Sequence, residues 1–65
     1  MNVGERILIM RGKRGMSQAL LADLSGLSVP TLCAYEKDER KPTLAKLESI
    51  AAALGCSPAY LAGWE

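Results

Sequence analysis

Residues 17–37 read SQALLADLSGLSVPTLCAYEK. Their apolar side chains recur with the 3.6-residue period of an α-helix in two short segments separated by a glycine. The residues expected on the inner faces are Leu21, Ala22 and Leu24 in the first segment and Leu32 and Tyr35 in the second. Ala22 is small and stands four residues before Gly26, so the two helices can cross at close range. The stretch therefore predicts two packed helices joined by a tight turn.

The predicted turn is Gly26-Leu27-Ser28. Gly26 can adopt the left-handed conformation that ends a helix, and Leu27 can then pack back on that helix. The hydroxyl of Ser28 can cap the second helix, which is predicted over residues 29–37. Pro30 is tolerated in its first turn, because backbone N–H groups there have no helical partner. Such a pair is a helix-turn-helix, the motif that places its second helix in the major groove of DNA.

A further helix is predicted ahead of the motif, over residues 3–14. Asn2 and Glu5 have the spacing of a capping box at its start. Its core stripe consists of Val3, Ile7 and Met10. Leu8 and Ile9 are left outside this stripe, and two interpretations stay open for them. They are covered by the C-terminal segment, or they form a patch for a partner.

Two more helices are predicted after the motif. Thr43 is the expected cap of the fourth helix and Gly55 its end. The core stripe of this helix consists of Leu44, Leu47, Ile50, Ala51 and Leu54. Ser57 and Pro58 open a last short helix that Gly63 ends. The sequence therefore predicts an all-α fold of five helices, with the helix-turn-helix formed by helices 2 and 3.

Length and composition restrict the range of functions. A chain of 65 residues with 49% hydrophobic residues, no Phe and one Trp predicts a single domain, residues 1–65, with an aliphatic core. The formal net charge is only +1, so the clustering of the basic residues at 11–14 and 37–41 is more informative than their number. The early apolar run at residues 7–10 is too short for a signal or membrane segment. A cytoplasmic protein without a membrane partner is expected.

No metal, cofactor or catalytic site is predicted. The chain has no His, and Cys33 and Cys56 stand far apart and outside any CxxC pair. A zinc site is therefore not expected, and two reduced thiols are a better interpretation than a disulfide. The sequence also lacks a carboxylate pair on a common helix face and a Gly-rich phosphate loop. We expect neither an enzyme nor a small-molecule substrate.

Eight residues of the motif match, position by position, those of a known family: Gln18, Leu21, Ala22, Gly26, Leu27, Leu32, Tyr35 and Glu36. With them, the chain from Val3 to Trp64 resembles the Cro and lambda-repressor-like (XRE-type) family of phage and bacterial transcription regulators. The resemblance implies a five-helix lambda-repressor-like DNA-binding domain. It also implies a sequence-specific regulator, of the repressor type, that binds double-stranded DNA as a homodimer on a pseudo-palindromic operator.

The resemblance places a phosphate contact at the start of helix 2, and the basic side chains that follow helix 3 are positioned to flank the groove as further phosphate contacts. The residues expected there are Ser17, Gln18, Lys37, Arg40 and Lys41. For Gln18, the free N–H groups and the dipole of the helix N-terminus support a contact, and the alternative is an exposed side chain that only helps to start the helix. For the loop, the alternative is a solvated segment, because Asp38 and Glu39 interrupt the basic run.

The resemblance implies one further role, and the apolar C-terminal residues indicate another. Arg11 and Glu36 are expected to form an ion pair that fixes the angle of helix 3, and the alternative is two separate solvated charges. Tyr60, Leu61 and Trp64 are expected to complete the core, with a dimer contact as the alternative.

The outer face of helix 3 departs from the family pattern. The residues expected to face the bases are Val29, Pro30, Thr31, Cys33 and Ala34. Relatives often carry long polar side chains at these positions, whereas here only Thr31 has a hydrogen-bonding group. Readout would then depend on contacts with thymine methyl groups and on DNA shape. The apolar face also leaves an alternative function open, a helix-turn-helix module for protein–protein interaction, antitoxin-like or scaffold.

Overall fold

Five helices and no strand make up the part of the chain that the structure describes. The structure is a computed structural model, and it describes residues 1–64. The helices are α1 (Val3–Lys13), α2 (Gln18–Ser25), α3 (Val29–Glu36), α4 (Leu44–Leu54) and α5 (Pro58–Ala62). The predicted all-α fold is therefore confirmed, and α1 and α3 each end one residue earlier than expected.

Side-chain caps explain where the helices begin. The residues that accept a hydrogen bond from the backbone N–H three positions later are Asn2, Ser17, Ser28, Thr43 and Ser57. Each such bond satisfies one of the N–H groups that have no partner in the first turn of a helix. At α1 the capping box is complete, because the Glu5 carboxylate also accepts from the Asn2 N–H at 3.2 Å.

The turn between α2 and α3 has the predicted geometry. Gly26 is left-handed, with a φ of 69°. Its N–H donates to the Asp23 carbonyl at 3.2 Å, and the N–H of Leu27 donates to the Ala22 carbonyl at 2.8 Å. This pair of bonds is the Schellman motif, which satisfies the last carbonyl groups of a helix and reverses the chain. Leu27 packs against the core as expected.

The end of α3 uses the same hydrogen bonds without a glycine. The N–H of Asp38 donates to the Tyr35 carbonyl at 3.1 Å, and the N–H of Glu39 donates to the Ala34 carbonyl at 2.9 Å. Asp38 has a φ of 61° and is the one non-glycine residue with a positive φ among residues 1–64. It occupies the left-handed position that a glycine fills after each of the other four helices. Asp tolerates this conformation better than most residues, at some energetic cost.

One aliphatic core joins all five helices. The largest fully buried side chains are Ile7, Leu21, Leu32, Ile50, Leu54 and Leu61. Tyr35 adds one buried aromatic ring, and Ala22 is buried where α2 meets its neighbours. The most extensive contacts between helices join α2 to α4, α4 to α5, and α1 to α3. The core thus packs against the inner faces of α2 and α3 and leaves the outer face of α3 at the surface.

Two apolar residues expected on the inner faces of α2 and α4 are exposed. The inner face of α2 runs through Leu21, Ala22 and Ser25. Leu24 lies on the other side of Leu21 and is therefore 54% exposed. Leu44 is 58% exposed. It lies on the correct face of α4, but a helical side chain points toward the N-terminus, and at the first position it points past the end of the helix.

The C-terminal segment differs from the prediction in the same way. Trp64 is 73% exposed, so Leu61 and the half-buried Tyr60 complete the core without it. Leu8 and Ile9 also remain exposed, at 45% and 37%. The interpretation that the C-terminal segment covers them is therefore wrong for the described residues.

A glycine that the sequence analysis did not identify sets the distance between α1 and α3. Gly4 is buried, and a Cβ atom built on it would lie 2.2 Å from the Tyr35 carbonyl oxygen and 2.9 Å from that of Glu36. Both oxygens belong to the backbone and cannot rotate away. Only a residue without a side chain therefore permits this approach of α1 to the C-terminal end of α3.

Gly4→Ala is expected to lower the free energy of unfolding by about 1–3 kcal/mol, because the added methyl group must push α1 away from α3. Gly12→Ala is the matched control, since a Cβ atom there meets nothing within 4 Å. The control is expected to raise the free energy of unfolding by up to about 1 kcal/mol through helix propensity. Urea unfolding of both variants measures the difference, and equal effects would show that the close approach is not needed.

Asp38→Gly is expected to be more stable than Asp38→Ala by about 1 kcal/mol, since alanine is strained at a positive φ and glycine is not. Both variants delete the same carboxylate, so loss of its interactions cancels in the comparison. Thermal unfolding of the two proteins tests this expectation. An alanine variant as stable as the glycine variant would indicate that the turn after α3 rearranges.

Candidate nucleic-acid interface

Helix α3 presents two unlike faces. Its inner face carries Leu32, which is fully buried, and Tyr35, which is 3% exposed. On its outer side Val29 and Pro30 are exposed, while the remaining residues expected to face bases are half-buried. Those half-buried residues are Thr31, Cys33 and Ala34. The N-terminal turn of α3 is therefore its most accessible part.

The accessible surface of α3 offers few hydrogen-bonding groups. The Thr31 hydroxyl oxygen accepts a bond from the Ser28 hydroxyl at 2.8 Å, and Ser28 in turn caps the Thr31 N–H. Cys33 is not joined to Cys56 by a disulfide. The surface around Val29 and Pro30 is thus small and apolar, and it suits van der Waals contacts better than polar ones.

Arg11 and Glu36 form an ion pair between α1 and α3. The Nε atom of Arg11 donates to Glu36 Oε2 at 2.8 Å, and its Nη2 atom donates to Oε1 at 3.2 Å. Only 17% of the Arg11 side chain and 5% of the Glu36 side chain are exposed. The bond to Glu36 raises the pKa of Arg11, against the opposing effect of burial. The third guanidinium nitrogen, Nη1, donates to the Met16 carbonyl at 3.0 Å and so also holds the connection between α1 and α2.

Gln18, Arg11 and Glu36 form one hydrogen-bonded group, the Glu36 cluster. Its Nε2 atom donates to Glu36 Oε1 at 2.8 Å, so the carboxylate joins residues of α1, α2 and α3. Gln18 is half-buried, which differs from the alternative of a freely exposed side chain. Its neighbour Ser17 is exposed, and the Ser17 hydroxyl caps the Leu20 N–H at 3.0 Å. Neither family position nor helical spacing indicated the bond between Gln18 and Glu36, because it joins residues 18 positions apart.

Three of the four arginines hold the fold together. Besides Arg11, Arg14 donates to the Leu54 carbonyl at 2.8 Å. Arg6 donates to the Tyr60 carbonyl at 3.3 Å and lies 5.2 Å from the centre of the Tyr60 ring. Part of the basic cluster at residues 11–14 is therefore committed to contacts within the chain.

The remaining basic side chains are exposed: Lys13, Lys37, Arg40, Lys41 and Lys46. Three of the five lie in the loop after α3, the segment expected at the phosphates. Lys41 forms an ion pair with Asp38. One of the three loop cations is thus partly neutralised inside the chain.

The described residues show no second kind of site. Within residues 1–64 there is no group of three metal-ligating side chains and no pocket. None of the helices in this range is long and apolar enough to cross a membrane. The exposed N-terminal turn of α3 and the basic side chains after α3 make up the candidate site.

Comparison with known proteins identifies the family to which this fold belongs. A helix-turn-helix family model matches residues 7–61. The immunity repressor protein of Bacillus phage phi105 is 38% identical over 65 residues. That match covers 100% of this chain, which spans 45% of the length of the phage protein.

Solved structures agree over almost the whole domain. The c2 repressor of phage P22, solved in complex with a synthetic operator, is 34% identical with a TM-score of 0.93 and matches 100% of this chain and 98% of that chain. The restriction-modification controller protein C.AhdI from Aeromonas hydrophila is 34% identical with a TM-score of 0.88, over 91% of this chain and 89% of that chain. On this evidence the chain belongs to the helix-turn-helix family of Cro and lambda-repressor-like (XRE-type) proteins.

Proposed function

We propose that this chain is the DNA-binding part of a transcriptional repressor and that it inserts α3 into the major groove of double-stranded DNA. The observation that carries the proposal is the way in which the fold holds α3. Its inner face is fixed by the core while Val29 and Pro30 lie exposed at its N-terminal end. In helix-turn-helix proteins the N-terminal residues of this helix contact the base edges. The P22 c2 repressor, which has the same fold, was solved on a synthetic operator.

The proposed roles follow the two kinds of surface. The residues assigned to base contacts are Val29, Pro30, Thr31, Cys33 and Ala34. The residues assigned to phosphate contacts are Ser17, Gln18, Lys37, Arg40 and Lys41. Because the first set is nearly devoid of polar groups, the base contacts are van der Waals contacts, and thymine methyl groups are their best partners. Within the second set the cations Lys37, Arg40 and Lys41 provide most of the affinity, since each phosphate that they neutralise releases counterions.

One copy of so small a domain reads only half of a typical operator. We propose that two copies bind as a homodimer on a pseudo-palindromic site, with their α3 helices about 34 Å apart, one turn of the duplex. The protein then acts in the cytoplasm, where phage and bacterial DNA is found, and it performs no catalysis.

A protein–protein interaction module is the second candidate. The observation in its favour is the number of large apolar side chains at the surface, among them Leu8, Leu20 and Leu24. Such residues are common singly on soluble proteins. The module would bind through these side chains, and its α3 surface would have no contact with DNA, so variants at α3 separate the two candidates.

Val29→Glu is expected to lower affinity for duplexes selected from random DNA by about tenfold or more, because the negative potential of the DNA groove repels a carboxylate at the α3 N-terminus. Stability should not fall, since an acidic residue is favourable in the first turn of a helix. Ser49→Glu is the matched control, with the same added charge at an exposed position of α4. Gel shifts and melting temperatures of both variants provide the measurements. Equal affinities of the two variants for DNA would show that α3 is not part of the DNA interface.

Two substitutions in the loop after α3 should change DNA affinity in opposite directions. Arg40→Ala is expected to weaken binding to selected and random duplexes alike and to reduce the slope of log K against log salt by about 1. Asp38→Asn keeps a residue that tolerates a positive φ but releases Lys41 from its ion pair. It is expected to strengthen binding and to steepen the slope by up to about 1. Unchanged slopes in both variants would show that this loop lies away from the DNA backbone.

A further inference from the structure

The carboxylate of Glu36 does more than pair with Arg11. Its Oε1 atom accepts hydrogen bonds from both Arg11 Nη2, at 3.2 Å, and Gln18 Nε2, at 2.8 Å. Gln18 is the first residue of α2, where the backbone N–H groups have no helical partner. The cluster therefore reaches from the interior of the domain to the helix N-terminus that the proposed function places against a phosphate.

The bond to Glu36 determines which way the Gln18 side chain is turned. A carboxamide has one acceptor atom and one NH2 group with two protons. With the amide rotated by half a turn, the carbonyl oxygen of Gln18 would face the carboxylate oxygens, and two acceptors repel each other. The NH2 group therefore stays on the side of Glu36. One of its protons is used there, and the second is available to another acceptor.

The charge balance of the cluster permits an anion nearby. Glu36 is only 5% exposed at its side chain and bonds to the Arg11 guanidinium through both oxygens. The pair is neutral as a unit, so its carboxylate opposes an approaching phosphate much less than an unpaired one would. The dipole of α2 adds a favourable contribution at the same place.

We propose that Glu36 is a positioning residue for DNA binding: it holds one amide proton of Gln18 and thereby directs the other to a phosphate of the DNA backbone. This inference rests on the proposed function and deepens it. Arg11 acts at one further remove, by holding Glu36. The role is distinct from fixing the angle between α1 and α3, which the ion pair would serve equally well without Gln18.

NMR spectroscopy of the unaltered protein tests the proposal directly. In the free protein, one Nε2 proton of Gln18 is expected to resonate downfield and to exchange slowly, because it is bonded to a carboxylate. Addition of a selected duplex should shift the other Nε2 proton and leave the first one bonded. Loss of the first signal on DNA binding, or a second proton that does not respond to DNA, would overturn the proposal.

A double-mutant cycle separates positioning from a structural role. One change in the cycle is Gln18→Ala. The other is the paired replacement Arg11→Met with Glu36→Leu, which removes both charges together, so that neither is left buried without its partner. In the unaltered background, Gln18→Ala is expected to lower DNA affinity about tenfold, since a hydrogen bond to a charged group is lost. In the paired-replacement background the same change should lower affinity by about threefold or less, because Gln18 is no longer directed.

Independent effects would give the same loss from Gln18→Ala in both backgrounds and would overturn the positioning role while leaving DNA binding in place. Failure of the unaltered protein to select any duplex would instead overturn the proposed function. Melting temperatures establish that each variant is folded, and the NMR result decides the case if the paired replacement does not fold.

Discussion

The contact between α1 and the C-terminal end of α3 is the constraint on which the geometry of the domain depends. Gly4 allows the two backbones to approach until a Cβ atom would lie 2.2 Å from the Tyr35 carbonyl oxygen. Beside it, Arg11 bonds to both oxygens of Glu36. A pair so far removed from water stabilises a fold only modestly, because desolvation offsets the attraction. Its directional bonds nevertheless admit one geometry, so a steric limit and an ion pair fix the same end of the same helix.

This use of charge separates two groups of basic residues. Arg6 and Arg11 on α1, and Arg14 just after it, donate to backbone carbonyl groups. Arg11 also donates to a carboxylate, so α1 is tied to the rest of the fold. Arginine suits such positions because its planar fork can bond several acceptors at once. The cations left at the surface are mostly lysines, with Arg40 as the exception. In the loop after α3 these cations stand beside Asp38 and Glu39, so residues 37–41 carry a formal net charge of only +1.

Local rules in the sequence were sufficient for the helices and insufficient for the contacts between them. Capping residues and the glycine turn gave the elements to within a residue, because those signals act over three or four positions. Leu44 and Trp64 show the limit: periodicity identifies a face of a helix, but it does not show whether a residue at or beyond the end of a helix has a neighbour to pack against. Gly4 looked like any helical glycine, and the bond from Gln18 to Glu36 joins residues 18 positions apart. Both depend on how the helices pack.

The fixed position of α3 matters for molecular recognition, because the outer face of this helix has few polar groups. Van der Waals attraction falls steeply with distance, and a gap of about 0.5–1 Å already forfeits a quarter to a half of it. A long polar side chain adjusts its rotamer to reach a base, whereas Val29 and Pro30 have almost no such freedom. For a helix with this outer face, the position of the backbone must supply the precision that flexible side chains supply elsewhere. The Glu36 cluster and the Gly4 contact fix that position from the opposite end of α3. Under the proposed function, residues that touch no base therefore make the base contacts of α3 possible.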